Sequence, residues 1–261
     1  MTDPSSPIPL VVSGALGLAV AALACLAGPP LVALLWHRRT AAPWRAFGWG
    51  AVVFLVSQVV LRLPWQIPLS RWVSVSHPQW MTGFLVFSGF TAGLFEETGR
   101  WVGYRTVLRR DRDPRAGVMF GLGHGGIEAM LLVGLSLAGL LVAWVMAANG
   151  RIPPGPALDA IRQQTAGMEF LGAQLAVVER ASAMAMHVGL ALVVLQCFVR
   201  QSLGWLFLAI LLHSVVDIAG VLAAKRMGGW SEGVIAALAL AVLFLGVRLA
   251  FRPSAQPITA S

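Results

Sequence analysis

Apolar residues run along this chain in stretches too long for the core helices of an ordinary soluble domain. A helix needs about 20 predominantly apolar residues to cross a bilayer, and seven stretches are candidates. The first runs from about Ile8 to Trp36, with a kink or an end expected at Gly28-Pro29-Pro30. The second, Ala46 to Leu61, is short and reads as closed by Arg62 and Pro64. The third starts near Trp80 and runs to about Leu108, the fourth spans Ala116 to Ala148, and the fifth spans Phe170 to Val199. Leu203 to Ala224 and about Gly233 to Leu249 complete the set. The pattern predicts an all-α fold, a polytopic bundle of about seven transmembrane helices. No internal repeat is visible, which disfavours an inverted-repeat transporter plan.

Between these stretches, Leu63 to Gln79 carries Trp65, Trp72 and three prolines and reads as a segment at the outer interface, where tryptophan is enriched. Asn149 to Thr165, with Pro153-Pro154-Gly155-Pro156, reads as the longest exposed loop. The connections differ in charge. Those after spans one, three, five and seven hold twelve arginines: 38, 39, 45, 100, 105, 109, 110, 112, 115, 200, 248 and 252. The other side holds six cations, Arg62, Arg71, Arg151, Arg162, Lys225 and Arg226. Cationic loops stay in the cytoplasm, so the N-terminus is expected outside and the C-terminus inside, in a bacterial cytoplasmic membrane.

Composition agrees with this reading. Only 11% of the 261 residues are charged and 57% are hydrophobic, and the mean hydropathy is +0.77. Soluble domains carry roughly 25% charged residues. One integral membrane domain over residues 1–261 is expected, with its chemistry in a core of about 80–224. The pI of about 11.3 reflects loop arginines, not a basic, aromatic-interleaved surface, so nucleic acid is excluded as a partner. Cys25 and Cys197 both fall in apolar spans and read as small buried hydrophobes. The apolar run from Leu10 exceeds a signal peptide's core, and no positive segment precedes it.

Against this background, eight polar residues within the spans stand out: Glu96, Glu97, Arg100, His124, Glu128, His187, His213 and Asp217. An ionisable group at the bilayer centre costs about 2.5–3.5 kcal/mol, so four lipid-facing carboxylates would cost roughly 10 kcal/mol. They must face one another, a water-filled cavity or a metal. At 1.5 Å per residue, Glu96 and His124 lie about 13 Å from the cytoplasmic ends of their spans, His213 about 15 Å and His187 about 20 Å. Three of the four share one depth, which favours one site. Spacing of four also puts Glu96 with Arg100, His124 with Glu128 and His213 with Asp217 on common helix faces. Glycines 121, 123, 125 and 126 around His124 permit close approach by another backbone, a water or a substrate. Glu179 and Arg180 read as a gating or packing pair nearer the outer half.

Three motifs carry a resemblance. Glu96-Glu97-Thr98-Gly99-Arg100, Phe120-Gly121-Leu122-Gly123-His124 and His213-Ser214-Val215-Val216-Asp217 resemble the EExxxR, FxxxH and HxxxN/D motifs of the CAAX protease and bacteriocin-processing superfamily of intramembrane proteases. The paired glutamates followed by Gly-His-Gly-Gly-Ile-Glu, Gly123 to Glu128, resemble more particularly its YhfC branch of membrane peptidases. The arginine follows after two residues, not three, and Glu128 is additional to the general pattern.

The resemblance implies a hydrolase acting on a membrane-embedded or membrane-associated peptide or protein within the lipid bilayer. It implies Glu96 as the base that activates water, with His124 holding that water and Glu97 orienting one of them. His213 would stabilise the oxyanion, and Asp217 would act protonated or orient His213. Arg100, Glu128 and His187 would support these five. A second arrangement uses the same residues for Zn2+, with His124, His213, Glu128 and Asp217 as the candidate ligands. The superfamily motifs favour a site without a cofactor, and the additional Glu128 favours metal. A proton-coupled transporter using the same groups as a relay and an inert scaffold are the remaining alternatives.

Overall fold

A computed structural model of the chain describes residues 8–251. Those residues form ten α-helices and no strand: α1 Val12–Thr40, α2 Trp44–Phe54, α3 Leu63–Ser76, α4 Met81–Arg105, α5 Pro114–Glu128, α6 Leu135–Ala148, α7 Pro156–Thr165, α8 Phe170–Val199, α9 Gly204–Met227 and α10 Ser231–Phe251. Short π-helical stretches, Leu55–Arg62 and Ala129–Gly134, join α2 to α3 and α5 to α6 without a break. Five continuous stretches are long and apolar enough to cross a membrane: Val12–Thr40, Trp44–Ser76, Pro114–Ala148, Phe170–Val199 and Gly204–Phe251. The last of these holds both α9 and α10, turned at Gly228–Trp230. α4 is a seventh long helix that falls short on hydropathy because Glu96, Glu97, Arg100 and Arg105 lie in it. The all-α polytopic bundle is the fold.

Where the chain departs from expectation, helix continuity is the reason. α1 does not end at Gly28-Pro29-Pro30 but runs through both prolines. An interior proline costs about 3 kcal/mol in an isolated helix; here Pro29 is buried and seats where Gly126 of α5 has no Cβ. The second span does not close at Arg62 and Pro64 either. Pro64 lies at the start of α3, directly after the π-helical stretch that closes with the Leu63 N–H on the Gln58 carbonyl, and the helix runs on through it. The expected interfacial segment is therefore the end of a continuous 44–76 helix. Nor is 149–165 an exposed loop throughout: 149–155 is irregular and largely exposed, but the rest is α7, whose Leu158 and Ile161 pack with Trp144 and Ala147.

α8 is the central element. Of its most apolar window 72% is buried, against 33% or less for the other four spans. It packs against α10, α5, α1 and α9, while α4 packs on α9 and α2 on α5. Large apolar side chains such as Leu23, Phe207 and Phe244 point outward, as a lipid-facing surface requires. α5 begins where Asp113 caps it, its carboxylate accepting from the Arg115 and Ala116 N–H groups with Pro114 in the first turn. The glycines of α5 then seat it between neighbours. A Cβ at Gly123 would overlap the Phe47 carbonyl of α2, and one at Gly125 would meet the Met184 Cα of α8 at 3.0 Å. That close seating carries His124 into the bundle interior.

Candidate metal centre

Four helices deliver one polar centre. Glu96, Glu97 and Arg100 come from α4, His124 from α5, His187 from α8 and His213 from α9; all are at most 4% exposed. Consecutive helical residues point about 100° apart, so Glu96 and Glu97 reach different partners apart from His213, which lies beside both. Glu96 Oε2 lies 2.8 Å from His124 Nε2, 3.9 Å from His187 Nδ1 and 3.9 Å from His213 Nε2. Glu96 Oε1 accepts from the Gln58 amide. Glu97 pairs with Arg100 and accepts from His213 Nδ1 at 2.7 Å. Arg100 Nη2 donates to His187 Nδ1 at 3.1 Å.

Behind this layer, His187 Nε2 donates to Glu128 Oε2 at 2.7 Å. Glu128 Oε1 accepts from Arg180 Nη1 at 2.8 Å, and Arg180 also pairs with Glu179. Asp217 Oδ2 is 3.6 Å from His213 Nε2, with its side chain 31% exposed. The carboxylate borders a cavity of about 460 Å³, whose walls also include Glu96, His187, His213, Gln58 and Arg62.

Most of these pairings run between helices. Arg100 bonds Glu97, not Glu96, and Glu128 reaches His187 and Arg180 on α8, not His124. Of the three pairs spaced by four, His213 and Asp217 alone meet along their helix. Arg180 is no separate outer pair but is joined to the centre through Glu128. His187, deeper by residue count, lies beside His124, with ring centroids 4.8 Å apart. Gln58 and Arg62 are functional candidates that the apolar pattern missed. Their spacing of four inside the second apolar stretch was the available sign, and reading Arg62 as the end of a span concealed it.

Glu96, His124 and His187 can each offer a ligand atom, the three within 4.8 Å of one another. The set expected from the sequence, His124, His213, Glu128 and Asp217, shares only His124 with this group. A tetrahedral centre with bonds of about 2.0–2.2 Å needs ligand atoms about 3.3–3.6 Å apart, and the separations of 2.8 and 3.9 Å around Glu96 Oε2 bracket that range. Imidazoles that bind metal usually donate their outer N–H to a carboxylate. Glu128 does this for His187 and Glu97 for His213. His124 lacks such a partner, its buried Nδ1 having none, and Arg100 must release His187 Nδ1 for that nitrogen to ligate. The network also holds five carboxylates (96, 97, 128, 179 and 217) and three guanidinium groups (62, 100 and 180). With neutral histidines two negative charges remain, the deficit a divalent cation would balance. The residues fit a metal.

A family model described as YhfC intramembrane metalloprotease matches residues 22–240. The chain belongs to the YhfC family. The uncharacterized membrane protein YhfC of Bacillus subtilis (strain 168) is 30% identical over 208 residues, covering 74% of this chain and 79% of that protein. No solved structure matches. As a YhfC-family member with this helical bundle the chain is an integral membrane protein, and the family's description does not favour a transporter.

Proposed function

We propose that the protein is a metal-dependent intramembrane endopeptidase that hydrolyses peptide bonds within or near the bilayer. The observation that carries this reading is the convergence of three imidazole nitrogens on one oxygen of Glu96. Glu96, His124 and His187 would hold the metal, Zn2+ being the ion suited to this nitrogen and oxygen set, and His213 Nε2 faces the same point. When bound, such an ion polarises the scissile carbonyl and lowers the pKa of a water. Glu97 and Glu128 hold the rings of His213 and His187 in the tautomers whose bare nitrogens point inward. Arg100 keeps Glu97 in place. Asp217, at the cavity wall beside His213, would take the proton of the attacking water and return it to the leaving amine. The three sequence motifs support placing this chemistry within the CAAX protease and bacteriocin-processing superfamily.

A second reading has a specific observation behind it. Arg100 occupies His187 Nδ1 and His124 bonds Glu96 directly, as a metal-free site with Glu96 as base would have them. Either way Glu96 is essential. The substrate class is tested by profiling protein N-termini in membranes from cells expressing the wild type or Glu96→Gln. New N-termini within or beside transmembrane segments, seen only with the wild type, are expected; indistinguishable profiles would overturn endopeptidase activity.

A further inference from the structure

Glu96 is ordered from its other side by a pair that no motif marks. Gln58 Nε2 donates to Glu96 Oε1, while Gln58 Oε1 accepts from Arg62 Nη1 at 2.8 Å. Arg62 is tied to α4 in turn: Nη2 donates to the Ser88 carbonyl at 2.6 Å and to Ser88 Oγ at 3.0 Å, and Nε donates to Thr91 Oγ1 at 3.3 Å. Both side chains are buried. Both lie in the π-helical stretch Leu55–Arg62, whose wide turn closes with the Leu63 N–H on the Gln58 carbonyl, five residues back. Such turns recur at functional sites because they redirect side chains that a regular helix would point elsewhere.

The chemistry of the three groups permits one polarity. A guanidinium only donates and an ionised carboxylate only accepts. Glutamine between them must show its oxygen to Arg62 and its amide nitrogen to Glu96, so the amide cannot turn over while Arg62 is present. With Oε1 held, Oε2 is the oxygen left for the imidazoles.

We propose that Gln58, oriented by Arg62, is a positioning residue that fixes the Glu96 carboxylate so that Oε2 alone faces His124, His187 and His213. The inference rests on the reading of Glu96 as a metal-binding carboxylate. Arg62 orients the carboxylate through its bond to Gln58. A partner behind a metal ligand typically alters metal affinity about 10–100-fold, so Gln58→Leu, which keeps the bulk and removes both hydrogen bonds, should weaken Zn2+ binding by at least about tenfold. Gln58→His, which retains one donor and one acceptor, should restore most of that loss.

The test is Zn2+ affinity of the full chain in detergent, by competition with a chromophoric chelator. The proteins compared are wild type, Gln58→Leu, Gln58→His, Arg62→Met and the double variant that combines Gln58→Leu with Arg62→Met. Melting temperature is followed in parallel. Weakened binding in Gln58→Leu at an unchanged melting temperature, recovery in Gln58→His, and no further loss on adding Arg62→Met to Gln58→Leu would support the relay. Unchanged affinity in Gln58→Leu, or losses that add in the double variant, would overturn it. Should Arg62→Met fail to fold, the comparison of Gln58→Leu with Gln58→His still decides. A wild type that binds no Zn2+ refutes the metal reading by itself. The relay is then decided by the experimental structure of Gln58→Leu: Glu96 turned away from His124 supports it, and an unmoved carboxylate overturns it.

Discussion

His187 Nε2 and Glu128 Oε2 lie 2.7 Å apart across α8 and α5, and that contact decides which imidazole nitrogen is left to face Glu96. A carboxylate accepts, so Nε2 carries the proton and Nδ1 is bare. Arg180 then holds Glu128 from the other oxygen. Removing the Glu128 carboxylate frees the ring to turn.

Glu128→Ala should therefore weaken metal binding by about 10–100-fold with the bundle still folded. Glu128→Gln, which can still accept from His187, should lose less. Zinc titration of both variants checks the order, and equal affinity in Glu128→Ala and wild type would place Glu128 outside the centre.

A second expectation concerns the seating of α5. At Gly123 a Cβ would overlap the Phe47 carbonyl, a backbone atom that cannot step aside, whereas at Gly139 nothing lies within 4 Å. Gly123→Ala should cost about 1–3 kcal/mol, as overpacking does, and lower both melting temperature and activity, since His124 is the next residue. Gly139→Ala should be neutral or slightly stabilising, by up to about 1 kcal/mol. Thermal unfolding in detergent separates the two.

These contacts also mark how far the sequence could be read. Seven long helices and one shared polar site follow from apolar run lengths and from the cost of placing carboxylates in lipid. The continuity of the second span does not. Arg62 and Pro64 look like a membrane boundary because, in one dimension, a buried arginine with four hydrogen bonds cannot be distinguished from one at an interface. Helix spacing pairs residues on one face, but Glu128 finds His187 and Arg100 finds Glu97 because of how α4, α5 and α8 pack. Arg100 and Arg62 are both buried, so neither belongs in the loop tally, and the bias becomes eleven cations to five.

That bias still predicts topology: the C-terminus in the cytoplasm and the N-terminus outside. A reporter fused after Ser261 should be active in its cytoplasmic form only. Activity of the periplasmic form alone would reverse the orientation.

At the loop following α4, Arg45 forks onto Asp111, with Nε 2.7 Å from Oδ2 and Nη2 2.5 Å from Oδ1. That hydrogen-bonded guanidinium holds the Asp111 carboxyl below the usual carboxylate range. A depressed folded pKa contributes stability above the unfolded value, about 3.9 for aspartate, and loses it as pH falls through the folded value. The melting temperature of wild type should exceed that of Asp111→Asn at neutral pH, and the difference should shrink to nothing in acid. A difference that grows in acid would contradict the sign.

The most direct test of the proposed metal centre is metal content measured together with cleavage on the purified full chain. One tightly held zinc per chain is expected, released by chelation with loss of cleavage and restored with it on adding zinc. Glu96→Gln, His124→Ala and His187→Ala should each lower zinc occupancy and abolish cleavage without unfolding the bundle. Full cleavage by chelated, metal-free wild type would contradict the account and leave Glu96 as the base of a metal-free site.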